Sequence, residues 1–420
     1  NNAVPELMPT IEQRKNQAAV VEAMSMVSDD VHLVVVGKKS RYFDVVAGMV
    51  ERYGLARWVH ILDKADFADF PALYSEAEAS VYMSYFEGFG IPVLESLTCG
   101  TPVVASCRSS IPEVGGDAAL YAEPSSPREI ADSLNRLLDD GDMCSAMRER
   151  AKIQAAVEKV RAENPMAPSI TNTVTQDFVA NAQLAVGGSA AMIYMPDEGE
   201  FCAAAGNSFY INLGTIIPVY EETIPRTAKK LHELNKPWSL DVPGLGIGEL
   251  RTKLVQQIKE YKPTIIRGNA SEIIGIAKMW NLIDETTSSG ARGVDTADSV
   301  DSSKIAAAAI ARYTGGAVAV SGPEDLVTDG KTIIRSKGGS HYMEKITGAG
   351  CSLGGVCAVY AAVSDPFTAA ITATAAYNFA GSKAEKLAEG PASFQTVFLD
   401  ALYNATPEEI SSNPMTVEEL

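Results

Sequence analysis

The sequence predicts an α/β protein made twice over, with two α/β halves joined through a helix. Three observations predict it. Short apolar runs without helical period alternate with amphipathic stretches from residue 32 to about 140, the pattern of a parallel sheet covered on both faces. The same alternation starts afresh after residue 165. Between the two, residues 143–163 contain neither glycine nor proline and are dominated by Ala, Glu, Lys and Arg, which makes a helix rather than a flexible linker.

In the first half, "HLVVVG" (32–37), "WVHILD" (58–63), "ASVYMS" (79–84), "TPVVAS" (101–106) and "AALYAE" (118–123) read as buried strands. "FPALYSEAEA" and "FGIPVLESLTCG" read as helices between them. "SPREIADSLNRLLDD" (126–140) opens with Ser126 as a cap and carries an apolar stripe. The 143–163 helix ends at Asn164-Pro165. In the second half "AAMIYM", "SFYINLGT", "PWSLDVPG", "PTIIRGN" and "AVAVSG" are expected as strands, and the chain after "TGAGC" is helical to about residue 405. No internal repeat or low-complexity tract is present. The boundary is expected near residue 150, inside the helix, giving domains 1–150 and 151–420.

The 420 residues carry a formal net charge of −18. That balance argues against a nucleic-acid partner, which needs a basic face, and leaves an anionic substrate held locally open. The six cysteines (99, 107, 144, 202, 351 and 357) form no Cys-x-x-Cys pair and read as reduced thiols of a cytoplasmic protein. Four histidines make a histidine-rich metal site improbable. No apolar run is long enough to span a membrane, so no membrane partner is expected. The opening "NNAVPELMPTIEQRKN" lacks both an initiator methionine and a signal-peptide pattern and reads as a fragment boundary.

In "SYFEGFGIPVLESLTCGTPVVAS" (84–106), Glu87 and Glu95 are separated by seven residues. Gly88 and Gly90 allow close backbone approach, and a helix starting near Pro92 offers free N–H groups to a diphosphate. Glu95 is placed to accept hydrogen bonds from a ribose. This stretch, with "IEQRKN" (11–16), "LVVVGKK" (33–39), "ALYSEAEASVYMSYFEGFG" (72–90) and "SSIPEVGGDAALYAEP" (109–124), resembles the Rossmann-like donor-binding domain of retaining GT-B glycosyltransferases. The resemblance implies Glu87 beside a donor sugar, Glu95 at the nucleotide ribose, and Arg14 and Lys15 on the diphosphate. Two departures stand out. The acceptor-side domain of such enzymes is not in the sequence, and the strand expected before "IEQRKN" is reduced to "VPELMPT". The first half is therefore expected to lack transferase activity alone and to keep at most weak, vestigial nucleotide-sugar binding.

The second half holds the parts that phosphorylation of an alcohol requires. "TGAGCSLGG" puts Gly348 and Gly350 at a helix start as an anion hole. Cys351 falls in the first turn, where a thiol's pKa is ordinarily lowered. "IIRGNASEI" (265–273) sets Arg267, Asn269 and Glu272 near a strand's C-terminal end, where open α/β sheets bind ligands. "SLDVPGLGIGELR" (239–251) puts Asp241 at another such end before a glycine-rich loop, and "AVAVSGPEDLVTDG" (317–330) puts Ser321 at a third. "GLGIG" (244–248) has the wrong spacing for a dinucleotide fingerprint. Singly, Asp241 and Glu272 read as capping or turn residues; together the segments indicate a nucleotide site.

Those segments, with "NPMAPSITNTVTQDFVANAQLAVGGSAAM" (164–192), "INLGT" (211–215), "GVDTADSVD" (293–301) and "GPASFQTVFLDALYN" (390–404), resemble hydroxyethylthiazole kinase, of the ribokinase-like fold, over 151–420. The resemblance implies ATP-dependent phosphorylation of the thiazole alcohol of thiamine salvage. It also implies Arg267 and Ser321 on ATP, and Met192 and Gly348 on the thiazole with Asn172 of "SITN" nearby. Asp241 and Glu272 would hold Mg²⁺ directly or through water. Cys351 takes the place of the catalytic aspartate of ribokinase-like enzymes, as base or as pocket lining, and Cys357 reads as core. A homotrimer with active sites between subunits is implied. The chain departs from the family at "DVPG" (241–244) and "GGSA" (187–190). Two other readings of the whole chain stay open: glycosyl transfer by the first half, and an engineered fusion in which a trimeric kinase scaffold carries a glycosyltransferase half-domain.

Overall fold

The computed structural model describes residues 2–28, 31–284 and 300–420. The chain divides into two units, Asn1–Ala155 and Ala156–Leu420. The division falls within one helix, α7 (Gly141–Glu163).

The first unit runs β1 (Asn2–Thr10), α1 (Gln17–Met24), β2 (Val31–Lys38), α2 (Phe43–Arg52), β3 (Val59–Leu62), α3 (Phe70–Ser75) and β4 (Ser80–Tyr82). It continues with α4 (Ile91–Thr98), β5 (Val103–Ser106), α5 (Ile111–Gly115), β6 (Ala119–Ala122) and α6 (Pro127–Asp139). Its strands pair in parallel as β1-β2-β3 and β4-β5-β6, and β1 lies beside β4. The order therefore reverses between β1 and β4, as in doubly wound nucleotide-binding sheets. Leu33 and Val35 of β2, Val81 of β4 and Val104 of β5 pack in one buried cluster with Val20 of α1 and Ile130 and Leu134 of α6. The Ser126 hydroxyl accepts from the Glu129 N–H, capping α6.

The strand expected to be reduced is formed in full. β1 spans nine residues and pairs with β2 from Asn2↔Val31 onward. Its prolines are tolerated because β1 takes ladder bonds on one side only, and Pro9 falls in the irregularity between Leu7 and Thr10.

The second unit begins β7 (Met166–Ile170), α8 (Gln176–Ala185), β8 (Ser189–Met192), α9 (Pro196–Ala205), β9 (Phe209–Asn212), α10 (Tyr220–Glu233), β10 (Trp238–Asp241) and α11 (Glu249–Ile258). Next come β11 (Ile265–Asn269), α12 (Ala270–Met279), α13 (Val300–Thr314), β12 (Ala317–Ser321), β13 (Asp325–Thr328) and β14 (Thr332–Ser336). It ends with α14 (Ala349–Ala361), α15 (Pro366–Glu385), α16 (Pro391–Asn404), α17 (Pro407–Ser411) and β15 (Met415–Glu419). One nine-stranded sheet orders them β15-β14-β13-β12-β11-β10-β9-β7-β8. Pairings from β8 to β12 are parallel, and β13, β14 and β15 extend the sheet antiparallel. The parallel strands are short and apolar because both faces are covered: Phe209, Ile211, Leu240, Ile266 and Val318 have no more than trace exposure. The order reverses between β7 and β9, which opens a crevice at the C-terminal strand ends.

Most of "GVDTADSVD" (293–301) lies outside the described residues.

Candidate active site

The C-terminal ends of β9, β10, β11 and β12 set Asn212, Asp241, Arg267 and Ser321 close to one another. Asp241, the last residue of β10, is fully buried. It accepts from Asn212 Nδ2 at 2.9 Å and from the Tyr210 hydroxyl at 3.3 Å, and it pairs with Arg267 Nη1 at 3.4 Å. Burial pushes its carboxyl up from the usual carboxylate range, and Arg267, Tyr210 and Asn212 pull against that. Arg267 Nη2 donates to Ser321 Oγ at 2.9 Å. Burial works against the guanidinium charge, but Asp241, Glu272, Cys351 and Tyr210 outweigh it. Its Nε has no partner.

α14 starts at the same place. Its cap, Gly348, has φ of 99°, a conformation that glycine adopts without strain. A Cβ on Gly350 would stand 2.7 Å from Arg267 Nη1. Glycine there lets the guanidinium lie against the helix N-terminus, so a cation and free N–H groups face one space. Asn172, just after β7, donates from Nδ2 to Asn212 Oδ1 at 3.2 Å and to Cys351 Sγ at 3.4 Å. The Tyr210 hydroxyl donates to the Cys351 carbonyl at 2.6 Å.

The Cys351 thiol differs from expectation. Burial and then the nearby Asp241 carboxylate raise its pKa, and the opposing pull of Arg267 does not reverse this. A helix N-terminus lowers a thiol's pKa in an exposed or electropositive setting; here desolvation wins. Cys357, expected as core, is fully buried.

Glu272 sits at the third position of α12 in a capping box with Asn269: the Glu272 N–H donates to Asn269 Oδ1 at 2.9 Å, and the Asn269 N–H to Glu272 Oε2 at 2.8 Å. The Gly244 N–H donates to Glu272 Oε1 at 3.2 Å. Its carboxyl is pushed up to about 7 by burial and by Asp241. Among the described residues no three His, Cys, Asp or Glu are grouped to hold a metal ion. Two carboxylates with water and substrate phosphate nevertheless fit Mg²⁺, which seldom takes an all-protein cage. Arg251 braces the glycine-rich loop, with Nη1 on the Gly244 carbonyl at 3.0 Å and Nε on the Leu213 carbonyl at 2.7 Å.

Met192 ends the edge strand β8 and lines a cavity of about 460 Å³ with Ile193, Asp197, Glu198, Phe201 and Cys202. In the first unit, Arg14 follows β1 and Glu87 follows β4, and the two form an ion pair at 2.6 Å. Arg14 also donates to the Phe86 carbonyl at 2.7 Å, and Ser84 Oγ to Glu87 at 2.9 Å. Lys15 is buried. Glu95, on α4, accepts from the Tyr74 hydroxyl at 3.3 Å.

The hydroxyethylthiazole kinase family matches residues 157–408. The chain belongs to that family. A hydroxyethylthiazole kinase of Bifidobacterium longum (strain DJO10A) is 47% identical over 287 residues, covering 64% of this chain and 91% of the relative. Another, from Cereibacter sphaeroides (strain ATCC 17029 / ATH 2.4.9), is 41% identical over 255 residues, covering 60% and 94%. The solved hydroxyethylthiazole kinase protein of Pyrococcus horikoshii OT3 is 27% identical with a TM-score of 0.56, covering 64% of this chain and 98% of its own. Residues 7–154 match the glycosyl transferases group 1 family, so the first unit is similar to those proteins. The hydroxyethylthiazole kinase match lies in the unit that contains Asp241, Arg267, Glu272, Ser321 and Cys351.

Two residues of the kinase crevice, Tyr210 and Asn212, were not singled out from sequence. The signal was an Asn closing the apolar run "FYIN".

Proposed function

We propose that the kinase unit transfers the γ-phosphoryl group of ATP to the primary alcohol of 4-methyl-5-(2-hydroxyethyl)thiazole, with Mg²⁺ as cofactor. One observation carries the reading: an arginine, two carboxylates and a helix N-terminus converge at the C-terminal side of β10 and β11. That is the equipment of phosphoryl transfer, in which positioning and charge stabilisation do most of the catalysis.

Arg267 and Ser321 contact the nucleotide, and the N–H groups at Gly348 and Gly350 receive the transferred group. Asp241 and Glu272 would hold Mg²⁺, directly or through water, and the ion would neutralise phosphate charge. Asn172 and Cys351 line the acceptor side. Transfer is in line: the alcohol oxygen bonds to the γ-phosphorus as its bond to the β–γ bridging oxygen breaks. Cys351 holds its proton through neutral pH, so it serves better as pocket wall than as obligate base. Met192 contacts the thiazole in a homotrimer whose active sites lie between subunits.

Domains 1–150 and 151–420 follow, and the six free cysteines suit a cytoplasmic protein. A second reading concerns the first unit alone: Arg14 and Glu87 meet at its strand reversal, the place for a vestigial nucleotide-sugar site. As a description of the whole chain, an engineered fusion on a trimeric kinase scaffold is favoured by the helix running through the division, and it leaves the kinase activity intact. The test is ATP consumption with and without the thiazole alcohol. Alcohol-dependent turnover is expected; no turnover together with no ATP binding would sink the reading.

A further inference from the structure

Thr175 occupies the N-cap of α8, where a threonine ordinarily gives its oxygen to an N–H of the first turn. It makes no such bond. The residue is 4% exposed, and its hydroxyl meets no nitrogen or oxygen partner. A buried hydroxyl whose oxygen accepts from no donor costs stability, so it needs a reason to be there.

Its surroundings supply one. A Cβ on Gly348 would meet Thr175 Cβ and Cγ2 at 3.0 Å, so the side chain lies against the turn that opens α14. Burial raises the Cys351 thiol's pKa, as does Asp241, whereas hydrogen bonding between the Thr175 hydroxyl and the sulfur lowers it. The Thr175 side chain thus sets its methyl against Gly348 and its hydroxyl towards Cys351. Thr171 also carries an unpartnered hydroxyl, but nothing places it against that turn.

We propose that Thr175 Oγ1 accepts the hydrogen bond of the acceptor alcohol's O–H and points its own hydrogen towards Cys351 Sγ. This orients an oxygen lone pair towards the γ-phosphorus and selects ligands that carry a free hydroxyl. The proposal rests on the kinase reading and deepens it. Thr175 is a positioning and specificity residue; no proton need pass through it.

A site built to bond a hydroxyl discriminates against the analogue lacking it, because its own polar group is then left unpaired. The experiment compares the unaltered chain with Thr175→Val, which keeps the shape and loses the hydroxyl, and Thr175→Ser, which keeps the hydroxyl. Turnover is measured against 4-methyl-5-(2-hydroxyethyl)thiazole and against ATP. Calorimetry then compares binding of that alcohol with 5-ethyl-4-methylthiazole. Thr175→Val is expected to raise KM for the alcohol about tenfold, leave KM for ATP unchanged and erase the preference for the alcohol. Thr175→Ser should restore that preference. Val behaving like the unaltered chain, or Ser failing as badly as Val, overturns the proposal and leaves the kinase reading standing. An unaltered chain with no alcohol-dependent turnover overturns both.

Discussion

Each unit brings an arginine and a carboxylate together at the C-terminal side of its parallel strands, yet the two pairs differ in kind. Arg14 and Glu87 meet at 2.6 Å with the Arg14 side chain 42% exposed. Arg267 and Asp241 meet at a looser 3.4 Å, with side-chain exposures of 12% and 0%. The tighter contact is the less consequential one. Water screens an exposed pair and largely replaces it when broken. A buried pair has given up that water, so each partner depends on the other. A short contact distance therefore does not by itself rank the two pairs; burial and the number of converging groups do.

The sharpest way to break this contrast is to remove each arginine. Arg267→Met strands the buried Asp241 and should cost about 3–5 kcal/mol of stability, with alcohol-dependent turnover abolished. Arg14→Met should cost no more than about 1 kcal/mol. Denaturant unfolding of both variants measures this, and equal costs would refute the comparison.

Next in size is Cys351. If the burial-raised thiol is wall rather than base, Cys351→Ala lowers kcat by less than about tenfold, short of the 10²–10⁴-fold that a general base contributes. A loss in the latter range, rescued by Cys351→Asp, would assign proton chemistry to this position. The sequence could not decide the point. It places the cysteine in a helix's first turn, but the desolvation that raises its pKa comes from elements remote in sequence, β10 and β11 among them. Asp241, Arg267 and Ser321 were legible for the opposite reason. Each closes an apolar run, and in a parallel sheet such closing residues gather at one edge.

The fold shows the same divide. Long apolar runs gave β2, β9, β11 and β12. β7 escaped because "MAPSI" is short and contains a proline. β13 and β14 are joined across Asp329-Gly330, a hairpin signal that reading by apolar runs passes over. β15, "MTVEE", has no apolar run at all; its place beside β14 is set by tertiary pairing.

A smaller effect follows from Glu272, whose carboxyl is pushed up to about 7. A Mg²⁺ ion favours the ionised carboxylate, so the apparent Mg²⁺ affinity in turnover assays should fall about tenfold from pH 8 to pH 6. Stability runs the other way. A folded-state pKa above the unfolded value stabilises fully at pH below the unfolded pKa, and that contribution is lost as pH rises through about 7. Glu272→Gln should flatten this part of the stability curve between pH 5 and pH 8. An unchanged slope in the variant would mean that another group carries the titration.

The smallest effect tests whether the chemistry belongs to the second unit alone. Ser126 caps α6 in the first unit, and its hydroxyl accepts from the Glu129 N–H at 3.3 Å. Ser126→Ala should lower stability by about 1 kcal/mol, because one first-turn N–H loses its side-chain acceptor. None of the groups proposed to bind ATP, Mg²⁺ or the alcohol lies before Ala156, so kcat and both KM values should match those of the unaltered chain below the melting transition. A shift in KM for ATP with the fold intact would show the first unit taking part in nucleotide binding, and the contrast between the two arginine–carboxylate pairs would have to be redrawn.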